Sequence, residues 1–552
     1  MTPEELSVLV KTTLAEAVDA GHITLETLPE DVRVERPKSR DHGDWATNIA
    51  LQLAKPAGMA PRQLAEILSS RLAEHAQVTR VEVAGPGFIN VTLDAAASGQ
   101  LAHTIVEAGD TYGHNQALQG HVINLEYVSA NPTGPLHMGH TRWAALGDAL
   151  LRLLRASGAE VTAEYYINDA GSQMNVFAAT VLAEIHGEDR PEGGYPGEYI
   201  TELADTVAAQ RPDIRDLPRQ EAHGLVRELA YQAQLAQIRG TLESFGVHFD
   251  EWFSEKSLHD EGRIHAAIAT LREQGHIDDR DGAVWLRTTD FGDDKDRVLI
   301  KDDGEPTYFA ADAAYYLSKR ERGFSEKMYI LGADHHGYVG RLKAMAACAG
   351  DDPARSIEIL IGQLMSVKGA RLSKRKGNVI ALDDLIEWLG TDALRYTLAR
   401  YPADSPIDVD PDVLQSKTND NPVFYVQYAH ARACNAARNA EAQGVDHSSF
   451  NAAQLNHPRE EELLAHLATF PVTVARAAEL REPHRVARYL EDLAGAYHAW
   501  YAKCRIAPST LDDGTVEPVT ELNRTRLWLN SATSQVLRNG LALLGVSAPE
   551  QM

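Results

Sequence analysis

Two histidines three residues apart, in Pro135-Leu136-His137-Met138-Gly139-His140, have the types and spacing of a phosphate site. They stand between an apolar strand pattern and a helical one, so they fall at a helix N-terminus. Free N–H groups and a partial positive charge there suit a phosphate. Gly139 lets a flat ring or a phosphate approach the backbone. Both imidazoles can donate hydrogen bonds to triphosphate oxygens; the alternative is a pair of capping histidines in a tight turn. A second group, Arg371-Leu372-Ser373-Lys374-Arg375-Lys376-Gly377-Asn378, packs four cations into a Gly-bounded loop of an otherwise acidic chain. It can close over a pyrophosphate and stabilise charge that develops during phosphoryl or nucleotidyl transfer, or it can be a solvated basic loop. The upstream turn favours the first choice, because two loops of one fold can reach one nucleotide. Asp334-His335-His336-Gly337 has metal-binding residue types but no third ligand at useful spacing.

Three regions must position these residues. Residues 1–113 mix helical runs (48–54, 64–68) with alternating ones (80–83, 88–93) around the turn Gly85-Pro86-Gly87, a small α+β module. From 114 to 415 short apolar strands alternate with helices. The strand 121–128 leads through Asn131-Pro132-Thr133-Gly134-Pro135 into a helix carrying Leu146, Leu150, Leu153 and Leu154 on one face. Tyr329-Ile330-Leu331-Gly332 and Ile357-Glu358-Ile359-Leu360-Ile361 are later strands, and the alternation predicts a doubly wound parallel sheet. Residues 172–300 read as a mostly helical insertion. From 416 to 552 the periodicity is helical over 423–438, 460–480, 486–504 and 521–544, an all-α bundle.

The 552 residues carry 44% hydrophobic and 24% charged residues, which excludes disorder or fibrous repeats for most of the chain. No apolar run is long enough to span a membrane, and the acidic N-terminus lacks the pattern of a signal peptide. Three separated cysteines argue against a disulfide framework or a cysteine zinc site and favour the cytoplasm. The net charge of −26 argues against a nucleic-acid partner. It is uneven, though. From Thr418 onward 12 Lys and Arg face 15 Asp and Glu, and 11 of those bases are Arg, suited to phosphate and base-edge contact.

Together the two motifs resemble the paired HIGH and KMSKS motifs of class I aminoacyl-tRNA synthetases. The segments 126–135 (EYVSANPTGP), 165–171 (YYINDAG), 421–432 (NPVFYVQYAHAR) and 536–546 (VLRNGLALLGV) resemble the arginyl-tRNA synthetase family. The resemblance spans essentially the whole chain. It implies a multidomain α/β protein: a Rossmann-like catalytic domain over 114–415, an additional N-terminal α+β domain over 1–113 touching the tRNA's outer corner, and an anticodon-binding helical bundle over 416–552.

It further implies ligation of L-arginine to its tRNA through an arginyl-adenylate, with release of AMP and pyrophosphate. The partners it implies are ATP, arginine and arginine tRNA, with Mg²⁺ accompanying ATP, no tightly bound metal, and a monomer as the family's default. By resemblance His137, His140 and Lys374 are catalytic. Pro135, Gly139, Arg371 and Ser373 join them at ATP. Arg371 and Leu372 stand where the family's motif has Lys and Met, and Arg keeps the cation while changing its geometry. The arginine pocket takes Glu126, Ser129, Asn131, His140, Tyr308, Asp312 and His335. Tyr308 and Asp312, four apart, share a helix face. Asp312 is assigned to the guanidinium, and Glu126 and Asn131 to the amino-acid head. Arg432, Tyr497 and Arg505 are expected at RNA, Trp528 and Leu529 in the core. A small-molecule nucleotidylyltransferase shares the histidine turn but leaves the last 135 residues unexplained. A non-catalytic tRNA-binding paralogue has no need of His137, Gly139, His140 and Lys374.

Overall fold

The computed structural model describes residues 2–37, 42–368, 380–509 and 515–552, apart from the side chains of Glu4, Ala95–Ala97 and Asp334–His336. The first helix, Pro3–Asp19, starts from a capping box in which the Thr2 hydroxyl accepts from the Glu5 N–H. It buries Leu6, Val10, Leu14 and Ala17, one face at helical spacing. Beside it lies an antiparallel sheet ordered Val34–Glu35, Trp45–Thr47, Phe88–Leu93, Val78–Ala84.

The central sheet has five parallel strands in the order Ile357–Gly362, Glu326–Gly332, Val122–Glu126, Glu160–Ile167, Glu251–Ser254. The middle strand reads Val-Ile-Asn-Leu-Glu with its three central residues buried, the near-continuous pattern of a strand covered on both faces. From it the chain runs outward one way, then returns to lay down the other half. That reversal falls between Val122–Glu126 and Glu326–Gly332, where an open α/β sheet leaves a crevice beyond its strand ends.

The helix Met138–Ala156 is pinned over this sheet by close approaches. A Cβ on Gly147 would meet the Tyr127 ring at 2.2 Å, and one on Gly362 would meet Trp143 at 1.8 Å. Neither position has room for a side chain.

Residues 172–300 are mostly helical but also hold strands. The helices Ser172–His186, Glu198–Gln210 and Arg219–Ser244 share a core of their own. Then Glu251–Ser254 returns as the fifth strand of the central sheet, and Ile277–Arg280, Ala283–Leu286 and Arg297–Ile300 form a three-stranded antiparallel sheet. Four-residue strands are too short to show a period of two.

The C-terminal region is helical: Pro422–Glu441, Pro458–Ala468, Phe470–Glu479, His484–Tyr501 and Glu521–Leu543. The single run expected over 460–480 is two helices. Pro471 has no N–H and its ring excludes the carbonyl four residues back; that carbonyl, of Leu467, accepts from the Tyr112 hydroxyl at 2.9 Å instead. The helix Ala95–Ala108 packs against this bundle, with His103 stacked on Trp528 at 4.6 Å. Asn539 also donates to the carbonyls of Gly109 and Tyr112. Trp528 is half-buried in that seam and Leu529 fully buried. Among the described residues no helix is long and apolar enough to cross a membrane.

Candidate active site

His137 caps the helix Met138–Ala156. Its Nδ1 accepts from the Gly139 N–H at 3.1 Å, while His140 Nδ1 accepts from the His137 N–H at 3.2 Å. The rings lie 3.8 Å apart. Burial lowers the pKa of His137 and, with the neighbouring His137, takes His140 to about 3. Both are therefore neutral near pH 7. With Nδ1 accepting, the proton sits on Nε2 and makes each ring a donor. Capping and donating to phosphate, alternatives in the sequence, are thus compatible through opposite nitrogens.

The segment that follows the second motif is rooted on this turn. Met138 N–H donates to Ile380 O at 2.9 Å and Leu382 N–H to Leu136 O at 2.8 Å, so the segment following the motif pairs with the histidine turn. On the preceding side, Met365–Val367 pairs with Ile407–Val409. The buried Arg142 donates to the carbonyls of Gln363 and Leu364 (2.6 and 3.4 Å) and of Pro402 and Ser405 (2.9 and 2.7 Å). One guanidinium thereby ties the histidine helix to the approach of the second motif. Arg371, Ser373 and Lys374 lie outside the described residues.

Beyond Glu126 the chain turns sharply. Val128 and Ser129 adopt φ of +68° and +41°, a region that costs about 1–3 kcal/mol for a side chain such as valine. The turn brings Ser129 Oγ to accept from the Tyr166 N–H at 3.1 Å and to donate to Glu126 Oε1 at 3.4 Å.

Opposite stands the helix Tyr308–Glu321, capped by Thr307. Tyr308, Asp312, Tyr315 and Lys319 fall on one face of it, at helical spacing. The Tyr315 hydroxyl lies 2.8 Å from Glu126 Oε2 and 2.5 Å from Glu164 Oε1 and shares its one proton between them. Lys319 Nζ donates to Glu126 Oε2 at 2.6 Å, and Arg322 Nη1 to Glu164 Oε2 at 2.5 Å. Asp312 accepts from the Tyr338 hydroxyl. Glu255, buried at the start of its helix, bonds Tyr166.

Charge divides this crevice in two. Glu126 and Glu164 have Lys319 and Arg322 against them. Glu255 lies in the field of Asp312 and Asp312 in that of Glu126, with Arg341 partly offsetting Asp312. Burial, then repulsion by Asp312, raises Glu255 to about 7; burial, with repulsion by Glu126, raises Asp312 to about 6 against the downward pull of the Tyr338 hydrogen bond. A desolvated acidic pocket short of a cation is what a substrate guanidinium completes.

The structure thus brings Glu126, Ser129 and Asp312 to one crevice, with Tyr308 on the same helix face as Asp312. Tyr308 is 69% exposed, and a Cβ on Gly171 would stand 3.8 Å from its hydroxyl. Asn131 is exposed and donates to Gln173 Oε1 at 3.0 Å. Pro135 stands half-buried two residues before the cap. The His335 side chain lies outside the described residues. Glu164, Tyr166, Glu255, Tyr315, Lys319 and Arg322 were missed. The helical repeat from Asp312 to Lys319 could have pointed to Tyr315 and Lys319, and Tyr166 stands in the family-like segment 165–171. Among the described residues no group of three or more His, Cys, Asp or Glu can hold a metal.

One expected RNA contact is excluded. Tyr497 is fully buried and donates to Asn530 Oδ1 at 2.9 Å, a core residue satisfied internally. Arg432 is half-buried, donates to Tyr428 OH at 2.8 Å and lies over its ring. Arg505 is exposed.

Comparison with known proteins places these features together. Residues 4–93 match the model of the arginyl-tRNA synthetase N-terminal domain. Residues 101–191 and 221–397 match the catalytic domain of class I (R) tRNA synthetases, and 426–552 the DALR anticodon binding domain. An arginine–tRNA ligase of Micrococcus luteus is 67% identical and one of Paenarthrobacter aurescens 66% identical, each aligned over the whole of both chains. The arginyl-tRNA synthetase of Thermus thermophilus has the same fold along the whole of both chains, with a TM-score of 0.77 at 23% identity. The chain belongs to the arginyl-tRNA synthetase family, class I enzymes that attach arginine to tRNA through an ATP-dependent arginyl-adenylate.

Proposed function

We propose that this chain performs arginine–tRNA ligation in the crevice between the strands Val122–Glu126 and Glu326–Gly332. The observation that carries the assignment is the acidic pair of Asp312 and Glu255, desolvated and short of a cation. Arginine enters with its guanidinium on Asp312 and its head group at Glu126, Ser129 and Asn131, with Tyr308 and His335 lining the approach. Its carboxylate then faces ATP, held by Pro135, His137, Gly139 and His140. Mg²⁺ arrives with ATP as part of that substrate and offsets triphosphate charge.

The carboxylate attacks the α-phosphate and pyrophosphate departs. The Nε2–H donors of His137 and His140 stabilise the developing charge by donating to it, and Lys374, Arg371 and Ser373 are assigned to the same task. A ribose hydroxyl of the tRNA's terminal adenosine next attacks the arginyl carbonyl and AMP leaves. No enzyme nucleophile is needed, since holding the reactants in line supplies the acceleration.

Residues 1–113 take the tRNA's outer corner and 416–552 its anticodon, flanking the catalytic residues 114–415. The three cysteines are free, which suits a reducing cytoplasm, and the enzyme acts as a monomer. Arginine-dependent ATP–pyrophosphate exchange, with and without cognate tRNA, tests this. Exchange only with tRNA supports ligation with tRNA-gated activation; exchange without it removes the gating. No exchange in either case, with ATP still bound, leaves a non-catalytic tRNA binder.

A further inference from the structure

Lys319 is fully buried, and its ammonium does not merely fill a core. Its nearest partner, Glu126 Oε2 at 2.6 Å, belongs to a carboxylate at the mouth of the crevice, 11% exposed. Its second, Glu164 Oε1 at 3.8 Å, is completely buried. The ammonium also lies 4.2 Å from the ring centroids of both Tyr315 and Tyr329, an aromatic sleeve that stabilises a cation and excludes water. Tyr315 OH reaches the same Oε2 of Glu126. The strong donors therefore converge on one oxygen, and Oε1 keeps only the 3.4 Å bond from Ser129.

We propose that Lys319 is a positioning residue for the amino-acid head group: it clamps Glu126 by Oε2 so that Oε1 is presented to the α-ammonium of arginine. The inference rests on the assignment of Glu126 to the head group, made above. Two features of the fold give the clamp its value. Arg322 neutralises Glu164, so Lys319 leaves the buried set without net charge while the guanidinium pocket keeps its acidity. Lys319 also shares a helix with Asp312, so one rigid rod carries the clamp and the guanidinium carboxylate, seven residues or about 10 Å apart. The separation between the two ends of the substrate is thereby built into a single element.

Arginine-dependent exchange kinetics on four variants of the full chain, with tRNA present, test this. Lys319→Met should raise the arginine KM roughly ten- to a hundredfold, the worth of a charge-assisted hydrogen bond, with the ATP KM within twofold. Lys319→Arg, which keeps a cation, should recover most of the loss. Glu164→Gln/Lys319→Met removes one carboxylate with one cation and keeps the site neutral, so it folds even where the single variant does not; its arginine KM should still be high. A normal arginine KM in that double variant overturns the clamp and leaves Lys319 as charge balance alone. Glu126→Gln probes the underlying assignment separately. An unchanged arginine KM there removes Glu126 from the head-group site, whereas a raised one beside an unaffected Lys319→Met refutes only the clamp.

Discussion

Arginine should drive protons out of the pocket as it binds. Glu255 titrates near 7 and Asp312 near 6 because both are desolvated and short of cations. At pH 6.5 the ligand-free pair holds about one proton, roughly three-quarters of it on Glu255. A guanidinium favours the charged forms, so its binding expels that proton. The sign follows: protonation competes with arginine, and affinity rises with pH. If both carboxylates must be ionised, lowering the pH from 8 to 6 should weaken arginine binding roughly twentyfold, with a plateau above about 8. Titration calorimetry at pH 6.5 in phosphate and in imidazole, buffers of different ionisation enthalpy, counts the protons directly. The apparent enthalpies should differ by about the gap between the two buffers' ionisation enthalpies, the mark of one proton. Glu255→Gln should cut the release to about a quarter of a proton and move the pH dependence down toward 6. Identical enthalpies in both buffers would refute the picture of an acidic pocket waiting for its cation.

Four further substitutions separate the catalytic crevice from the helical C-terminal region. In Gly139→Ala the new methyl meets the His137 ring at 3.1–3.2 Å; the ATP KM should rise roughly tenfold while the thermal midpoint stays level or gains from helix propensity. Arg142→Met strands four buried carbonyl contacts and should cost about 3 kcal/mol or more in urea unfolding, with kcat for exchange falling more than the arginine KM rises. Tyr497→Phe should cost about 1 kcal/mol of stability and leave the tRNA KM unchanged, whereas Arg505→Ala should raise the tRNA KM at unchanged stability.

What the sequence disclosed and what it hid divide along physical lines. The histidine turn was legible because its chemistry is local: a strand, a glycine and a helix start within a few residues. Tyr308 and Asp312 were legible as a pair for the same reason, four residues on one helix. Glu255, Tyr166 and Glu164 come from elements far from Asp312 along the chain, and their meeting is decided by strand order, which no local period encodes. Lys319 lay in plain view on the helical repeat from Asp312, but one Lys on a helix reads as solvated until burial is known. Tyr497 failed in the opposite sense. Aromatic type suggested stacking on RNA, yet Asn530 on a neighbouring helix satisfies its hydroxyl inside the core. Pro471 was a readable break overridden by the apolar period on either side of it.

The seam between Ala95–Ala108 and the last long helix joins residues separated by as many as 430 positions. Such a join has a timetable. A ribosome adding about 5–20 residues per second needs roughly 20 to 90 s between completing the first partner and the second. Throughout that interval the apolar side of Ala95–Ala108, with Leu101, Ala102 and Ile105, has been made but its final surface has not. Until the last long helix is made, those residues have only the part of their cover that Ala452–Gln454 and Pro458–Ala468 supply.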